Sequence, residues 1–260
     1  MKLSATRLRL YLTCPRQYRY RYVEGLPMTI SVALVFGRAI HAAICHLHRH
    51  AVETGQPLDL ADALEAFEGL WHQGLAEEQP LVKDPADLVG YEGWAGQILA
   101  GYTLANDGTS PPLALEFGFD LPWEGHVLTG FIDRIDEGPQ GLTIVDFKSG
   151  GRKPSPSAVR EDVQLLLYGF VARRLFAAPV ERVVYYHLRD QTPIITQPSE
   201  DDYGRFEAEV LRPVTAAIEA GCFPPQRGWY CRFCDHRANC EAERPAGVFI
   251  PSAPAAVALS

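Results

Sequence analysis

The stretch from Gly130 to Gly150 constrains this chain most, because its composition predicts two apolar strands joined by a tight turn. Residues 127–136 and 142–148 carry the β-branched and aromatic side chains that strands favour. Residues 137–141 are Glu-Gly-Pro-Gln-Gly, a sequence typical of a turn. We therefore expect a β-hairpin in the middle of the chain.

Charged side chains converge at the end of this hairpin. Asp146 and Lys148 lie two residues apart and so leave the same face of their strand, and Asp133 on the first strand can face that side. One interpretation is a surface ion pair, for example between Asp146 and Arg134. The other is a site in which the carboxylates bind a hard divalent cation and Lys148 positions a water or offsets phosphate charge. Both interpretations fit this stretch alone.

Composition indicates the compartment. The 260 residues suffice for one large domain. Arginines interrupt the N-terminus, which lacks a signal-peptide pattern, and the apolar run 30–36 is far too short to span a bilayer. Six cysteines in a reducing compartment favour metal binding or burial over disulfides. We expect a cytoplasmic protein with no membrane partner.

The charge distribution leaves two interpretations of the N-terminus. A net charge of −8 counts against a nucleic-acid-binding protein, yet residues 1–23 hold six Lys or Arg, no acid and several tyrosines. A basic stretch with interleaved aromatic residues suits a phosphate backbone and stacked bases. An amphipathic helix whose arginines extend past a buried face has the same pattern.

The predicted elements indicate an α/β fold with a mixed central sheet and flanking helices. We expect one domain over 1–250, with a mainly helical part (1–112), an αβ core (113–221) and a cysteine segment (222–245), before a disordered tail (251–260) rich in Ala and Pro. The predicted helices cover 4–22 with a break at Cys14-Pro15, 33–52, 60–77, 85–104, 159–176 and 201–220, and the strands cover 113–121, 127–136, 142–148, 182–189 and 193–196, with a loop at 107–112.

Two polar residues stand on the helix that follows the hairpin. Gln164 and Tyr168 are four residues apart and share one face of an otherwise apolar helix. They are either satisfied core residues or groups that orient Lys148 and a phosphate.

A histidine on the second helix is the candidate imidazole ligand. His41 follows Gly37 by one turn, and the glycine allows close approach there. His46, His48 and His50 fall on mixed faces and are expected to be solvated. A nitrogen ligand beside two carboxylates favours Mn²⁺ while allowing Mg²⁺.

The cysteines give the sharpest spacing. Cys231, Cys234 and Cys240 form a compact trio, which Trp229, Phe233 and Pro224-Pro225 are expected to surround. The fourth thiolate is expected from Cys14 or Cys222, and Cys45 is expected in the core. Four thiolates suit either tetrahedral Zn²⁺ or a 4Fe–4S cluster.

Together these residues resemble the RecB-like branch of the PD-(D/E)XK nuclease superfamily. The chain is most similar to the iron–sulphur members, namely the fourth Cas family of CRISPR-associated nucleases and AddB-type nuclease domains. Ile132 precedes Asp133 where the superfamily name has Pro, as is common in RecB-like members. The motifs, in order over nearly the whole chain, are LSATRLRLYLTCPRQYRYRY with Cys14, FGRAIH with Gly37 and His41, GFIDRID with Asp133, IVDFKSG with Asp146 and Lys148, QLLLY with Gln164 and Tyr168, and CRFCDHRANC with Cys231, Cys234 and Cys240.

The resemblance implies a metal-dependent deoxyribonuclease with an αβββαβ core, acting on single-stranded DNA or DNA ends in repair or recombination. It implies a catalytic Lys148 that Gln164 and Tyr168 orient. The implied ligands are His41, Asp133, Asp146 and the backbone carbonyl of Phe147 for Mg²⁺ or Mn²⁺, and Cys14, Cys231, Cys234 and Cys240 for a 4Fe–4S cluster, with Zn²⁺ as the alternative at the cysteines.

Partners and roles follow from the same resemblance. No Gly-x-x-x-x-Gly-Lys-Ser/Thr run occurs, so a helicase partner would supply unwinding, or the substrate is already single-stranded. One alternative is a CRISPR-adaptation nuclease that trims spacer precursors beside an integrase. Another is a non-catalytic scaffold that binds DNA ends on the same fold. Glu116 on the first strand is either a further carboxylate of the metal site or a surface residue.

Overall fold

The architecture comes from a computed structural model that describes residues 1–82, 84–106, 108 and 110–242. Three predicted features lie wholly or partly outside these residues. They are the tail at 251–260, the last residues of the predicted domain and of the cysteine segment, and two positions of the loop at 107–112. In the described part of the chain, no helix combines the length and apolar composition that crossing a bilayer needs.

The elements follow the predicted order. In chain order they are β1 (Lys2–Leu3), α1 (Ala5–Thr13), α2 (Pro15–Tyr22), α3 (Val32–Thr54), α4 (Leu60–Glu78), α5 (Pro85–Ala105), β2 (Ala114–Trp123), β3 (His126–Gly138), β4 (Gly141–Lys148), α6 (Pro156–Arg160), α7 (Val163–Leu175), β5 (Val180–His187), β6 (Thr192–Thr196), α8 (Glu200–Phe206), a π-helical turn (Glu207–Leu211), α9 (Arg212–Glu219) and two 3₁₀ turns (Trp229–Phe233 and Arg237–Asn239). The predicted mixed α/β fold is confirmed.

The sheet is built around β3. Strands β2 and β4 both pair with it antiparallel, and β4 continues to a parallel β5 and an antiparallel β6. The unpredicted strand β1 runs parallel to β3, with Leu3 opposite Leu128. A two-residue strand has no periodicity of its own, so only this tertiary pairing defines it.

The hairpin of β3 and β4 lies between two hydrophobic cores. Helices α1, α7 and α8 cover one face of the sheet, where Ile144 is buried. The long helices α3, α4 and α5 cover the other face, where Val145 and Phe147 are buried. Because β4 is buried on both faces, polar side chains at its end are held in a largely apolar environment.

The helix predicted at 159–176 is divided in two. Asp162 interrupts it, and its side chain accepts hydrogen bonds from the backbone N–H of Gln164 and of Leu165, at 2.9 and 3.1 Å. Asp162 also forms an ion pair with Arg9 of α1. This N-cap starts α7 at Val163 and fixes where Gln164 points.

Replacing Asp162 by alanine should lower the free energy of unfolding by about 1–2 kcal/mol, because two backbone donors lose their acceptor. Asp162→Asn keeps an N-cap acceptor and should lose much less. Glu161→Ala is the matched control, because its exposed side chain caps nothing. Urea melts of the three variants measure the differences, and equal stability of Asp162→Ala and Glu161→Ala would contradict the capping role.

The basic N-terminal stretch is mainly structural. Three of its tyrosines are buried, namely Tyr11, Tyr18 and Tyr20. Four of its cations form ion pairs: Lys2 with Asp120, Arg9 with Asp162, Arg16 with Glu241 and Arg19 with Glu24. The packed amphipathic helix is therefore the interpretation that the structure favours.

Candidate active site

A cleft of about 560 Å³ opens between α3 and residues of β2, β3 and the end of β4. Its lining includes His41, Glu116, Asp133 and Lys148, together with backbone of residues 147–150. Gly37 permits this approach, since a Cβ there would lie only 3.3 Å from the Ser149 hydroxyl oxygen. The cleft thus brings the histidine helix against the hairpin.

Three possible ligands converge on one side of the cleft. A ligand atom from each of His41, Glu116 and Asp133 lies within 4.8 Å of the others. His41 Nδ1 is 3.3 Å from Asp133 Oδ2, which also accepts a 2.7 Å hydrogen bond from the backbone N–H of Phe147. Two carboxylates and one imidazole suit a divalent cation such as Mg²⁺ or Mn²⁺.

A chain of polar contacts extends from the other side of the hairpin. Gln164 Nε2 donates to Asp146 Oδ1 at 3.0 Å and to the Tyr168 hydroxyl at 2.8 Å. Its Oε1 accepts a 3.1 Å hydrogen bond from Lys148 Nζ. Gln164 therefore holds the carboxylate and the ammonium together, and the buried Tyr168 orients Gln164 from behind.

Asp146 is electrostatically unfavourable in this arrangement. Burial raises the pKa of Asp146 to about 6; the Lys148 ammonium opposes that rise and the Asp133 carboxylate adds to it. Lys148 Nζ lies 2.6 Å from Asp146 Oδ2 as an ion pair, yet this buried oxygen accepts no aligned hydrogen bond. A buried carboxylate oxygen with a free lone pair beside a second carboxylate fits a divalent cation.

Glu116 belongs to the site more closely than its sequence context indicates. It is half-buried, it lines the cleft, and burial followed by the Asp133 carboxylate raises the pKa of its own carboxyl group. Its φ is +45° near the start of β2, a conformation that disfavours side chains with a Cβ. Strained backbone is often found at functional sites, and here it accompanies a carboxylate that faces His41 and Asp133.

Replacing Glu116 by glycine should stabilise the protein relative to Glu116→Ala by about 1 kcal/mol, because only glycine adopts this φ without strain. Both variants lose the same carboxylate, so both should bind Mn²⁺ more weakly than the wild type. Thermal melts and calorimetric titration measure the two effects. A Glu116→Gly protein no more stable than Glu116→Ala would contradict the strain.

A second candidate site joins the two ends of the described chain. Cys14, Cys231, Cys234 and Cys240 line one cavity, while Cys222 is exposed and lies outside it. Of the two predicted fourth ligands, the structure thus brings Cys14 to the trio. No three of these sulfur atoms lie within 4.8 Å of one another.

Contacts around the cysteines hold the segments in place. The backbone N–H of Gln226 points to Cys14 Sγ at 3.5 Å, and that of Gly228 points to Cys231 Sγ at 3.4 Å. Tyr230 donates a 2.7 Å hydrogen bond to the carbonyl of Thr13. Such N–H groups stabilise thiolate ligands of a metal or a cluster.

Two expectations about neighbouring residues were wrong. Trp229 and Phe233 do not pack around the cysteines but point outward, with 72% and 69% of their surfaces exposed. His48 is not solvated, because it lies in the core 2.6 Å from the Tyr102 hydroxyl. Cys45 is buried as predicted, although it also contributes to the cleft.

The chain is similar to proteins of two kinds. The Gene 69 protein of Mycobacterium phage D29 is 24% identical over 272 residues, which covers 91% of this chain and 95% of that protein. The Gene 69 protein of Mycobacterium phage L5 is 22% identical with the same coverage. One subunit of the ATP-dependent helicase/deoxyribonuclease of Carboxydothermus hydrogenoformans is 26% identical over 235 residues, or 76% of this chain, which spans only 21% of that much longer protein.

A solved structure and a family complete the comparison. The crystal structure of SSO0001 superposes over 94% of this chain and 87% of its own, with 14% identity and a TM-score of 0.43. The RecB-like branch and the similarity to a Cas family stay predictions. The model of the PD-(D/E)XK nuclease superfamily matches residues 2–241, and the chain therefore belongs to that superfamily.

Proposed function

We propose that this protein is a Mg²⁺- or Mn²⁺-dependent deoxyribonuclease that hydrolyses phosphodiesters in single-stranded DNA or at DNA ends. The observation that carries the proposal is the placement of Lys148 in the cleft, 2.6 Å from the buried Asp146 and beside the cluster of His41, Glu116 and Asp133. An ammonium beside converging carboxylates matches what phosphodiester hydrolysis requires of a protein.

Each residue then has a distinct task. His41, Asp133, Asp146 and the carbonyl of Phe147 would hold the cation, with Glu116 as a further carboxylate. When bound, such a cation polarises the phosphoryl group and activates a water. Lys148 orients that water and stabilises the charge that develops on the phosphate. Gln164 keeps Lys148 in place through its 3.1 Å hydrogen bond, and Tyr168 keeps Gln164 in place.

For the cysteine site we propose a structural 4Fe–4S cluster. Four thiolates around one tetrahedral zinc ion, each about 2.3 Å from it, lie about 3.8 Å apart. No three of the four sulfurs lie within 4.8 Å of one another, so they do not form the compact set that one zinc ion needs. Wide spacing supports a larger inorganic unit. The cysteines would clamp the segment after α9 onto α1 and α2.

The comparisons bear on partners. One subunit of an ATP-dependent helicase/deoxyribonuclease aligns with 76% of this chain. This supports a role beside a helicase. We propose that the role is the processing of DNA ends in repair or recombination. A partner that unwinds duplex DNA would deliver the single strand that the cleft receives.

Cleavage of end-labelled single-stranded DNA by anaerobically purified protein tests the function. Degradation should require Mg²⁺ or Mn²⁺ and should stop with EDTA, and the released label gives the polarity. Asp133→Asn is the matched control, because the amide oxygen can still accept the N–H of Phe147 while the charge is lost. Equal cleavage by this variant and the wild type would assign the activity to a contaminant.

A further inference from the structure

We propose that the cleft continues past the N-terminal end of α3 into a subsite for single-stranded DNA, where a base stacks on Trp94 and Arg189 contacts a phosphate. The inference rests on the proposed deoxyribonuclease function. It adds the form of DNA that the site prefers and the side of the cleft along which the strand lies.

A second cavity adjoins the candidate active site. Ala33 lines both, and the second cavity, of about 390 Å³, lies between the start of α3 and α5. Leu81, Tyr91 and Trp94 give it an apolar and aromatic surface, and 39% of the Trp94 surface is exposed. An exposed ring in a groove that leads from a nuclease centre can serve as a stacking platform for bases.

Arg189 links this platform to the active site. Its guanidinium lies over one face of the Trp94 ring, 4.0 Å from the ring centroid, so that the base of the proposal stacks on the other face. The Nε of Arg189 donates a 3.0 Å hydrogen bond to the carbonyl of Ser149, the residue after Lys148. The neighbouring carboxylate of Asp190 is paired with Lys153 and His187. Among the described residues, no acid forms an ion pair with Arg189. A guanidinium that is already oriented and lacks an acidic partner is suited to a phosphate.

The distances fit a short piece of single strand. Ala33 precedes His41 by eight residues on α3, or about 12 Å along the helix axis. The second cavity therefore begins about 12 Å from the candidate ligand His41, within reach of a single strand that is bound in the cleft. Bases in a duplex are already stacked and paired, so only a single strand or a frayed end can place one on the ring.

The charges of the residues that line the second cavity indicate where the phosphates and the bases of the strand lie. Asp87 is the acidic residue among the described residues that line the second cavity, and it disfavours phosphates there. The phosphates would instead follow the side on which Arg189 lies. The cavity is then left to the bases, which suits its apolar floor.

Two substrates separate stacking from chemistry. One is a single-stranded oligonucleotide long enough to span both cavities, and the other is thymidine 5′-(p-nitrophenyl phosphate), which is too small to reach Trp94. Trp94→Ala should raise KM for the oligonucleotide roughly 5- to 150-fold, the range that loss of one stacked base gives. Hydrolysis of the small diester should be unchanged. Trp94→Phe keeps an aromatic face and should recover most of the affinity.

Trp229→Ala is the matched control. Trp229 is also exposed and has Arg232 near its ring, but it lines neither cavity, so this variant should behave as the wild type. Arg189→Gln should lessen the salt dependence of oligonucleotide binding by about 0.7 in the log–log slope, the value for one phosphate contact on a single strand.

Binding measured by fluorescence anisotropy in EDTA distinguishes this inference from the proposed function. The subsite is overturned, and the nuclease is not, if the wild type cleaves and Trp94→Ala has the same KM for the oligonucleotide as the wild type. The same conclusion holds if Trp94→Ala loses as much activity on the small diester as on the oligonucleotide. A wild type that binds single strands through Trp94 but cleaves nothing supports the subsite and overturns the nuclease.

Discussion

Replacing Lys148 by alanine should lower the rate of DNA cleavage by about 10²- to 10³-fold, the loss expected when a group that stabilises transition-state charge is removed. Lys148 is the ammonium that Gln164 and Asp146 hold in the cleft. The same change should not weaken Mn²⁺ binding, because it removes a cation that competes for Asp146. A lost rate with retained metal affinity distinguishes a catalytic group from a ligand.

Lys153→Ala is the matched control for Lys148→Ala. Lys153 lies five residues further on and pairs with Asp190 at the surface, so its loss should leave the rate within a few-fold of the wild type. Thermal melts of both variants monitor folding, since Lys148→Ala leaves the buried Asp146 without its cation. Cleavage by folded Lys148→Ala at nearly the wild-type rate would contradict the proposed role.

Replacing Cys234 by alanine should remove the visible absorbance of the purified protein and lower the free energy of unfolding by about 4 kcal/mol or more. A cross-link that closes a loop of more than one hundred residues stabilises a protein by about that amount. Here the cross-link would join Cys14 to a segment more than two hundred residues away. Iron and zinc analysis of the wild type would identify the group itself.

Cys222→Ala is the matched control for Cys234→Ala, because it removes a thiol that lies outside the cysteine site. Cys222 is exposed and lies outside the cavity, so its removal should change neither colour nor stability. If Cys234→Ala keeps the absorbance and the melting temperature of the wild type, the cysteines hold no group that supports the fold. Zinc without iron in the wild type would replace the cluster by a zinc site.

Much of the fold could be predicted, because local signals specify it. Helix α3 begins after the N-cap of Ser31, α4 after that of Asp59 and α5 after that of Asp84. The alternation of the hairpin predicted that Asp146 and Lys148 share a face, and the four-residue spacing predicted that Gln164 and Tyr168 do.

The remainder depends on contacts that no local pattern encodes. Glu116 lies in an apolar strand whose left-handed kink has no glycine to mark it. Asp162 divides the predicted helix because its side chain caps the second part. Trp94 and Arg189 lie far apart in sequence and meet only because β5 ends near α5. Tertiary geometry decides each of these positions.

The proposed cluster would form only late in the synthesis of the chain. Cys14 leaves the ribosome early, whereas Cys231, Cys234 and Cys240 follow after roughly 10 to 40 s at ordinary translation rates. A nascent or truncated chain that already contains the hairpin and α7 cannot yet fasten the segment after α9 to α1. With the proposed cluster as the clamp, chains truncated before Cys240 would lack it and would stay open to proteolysis.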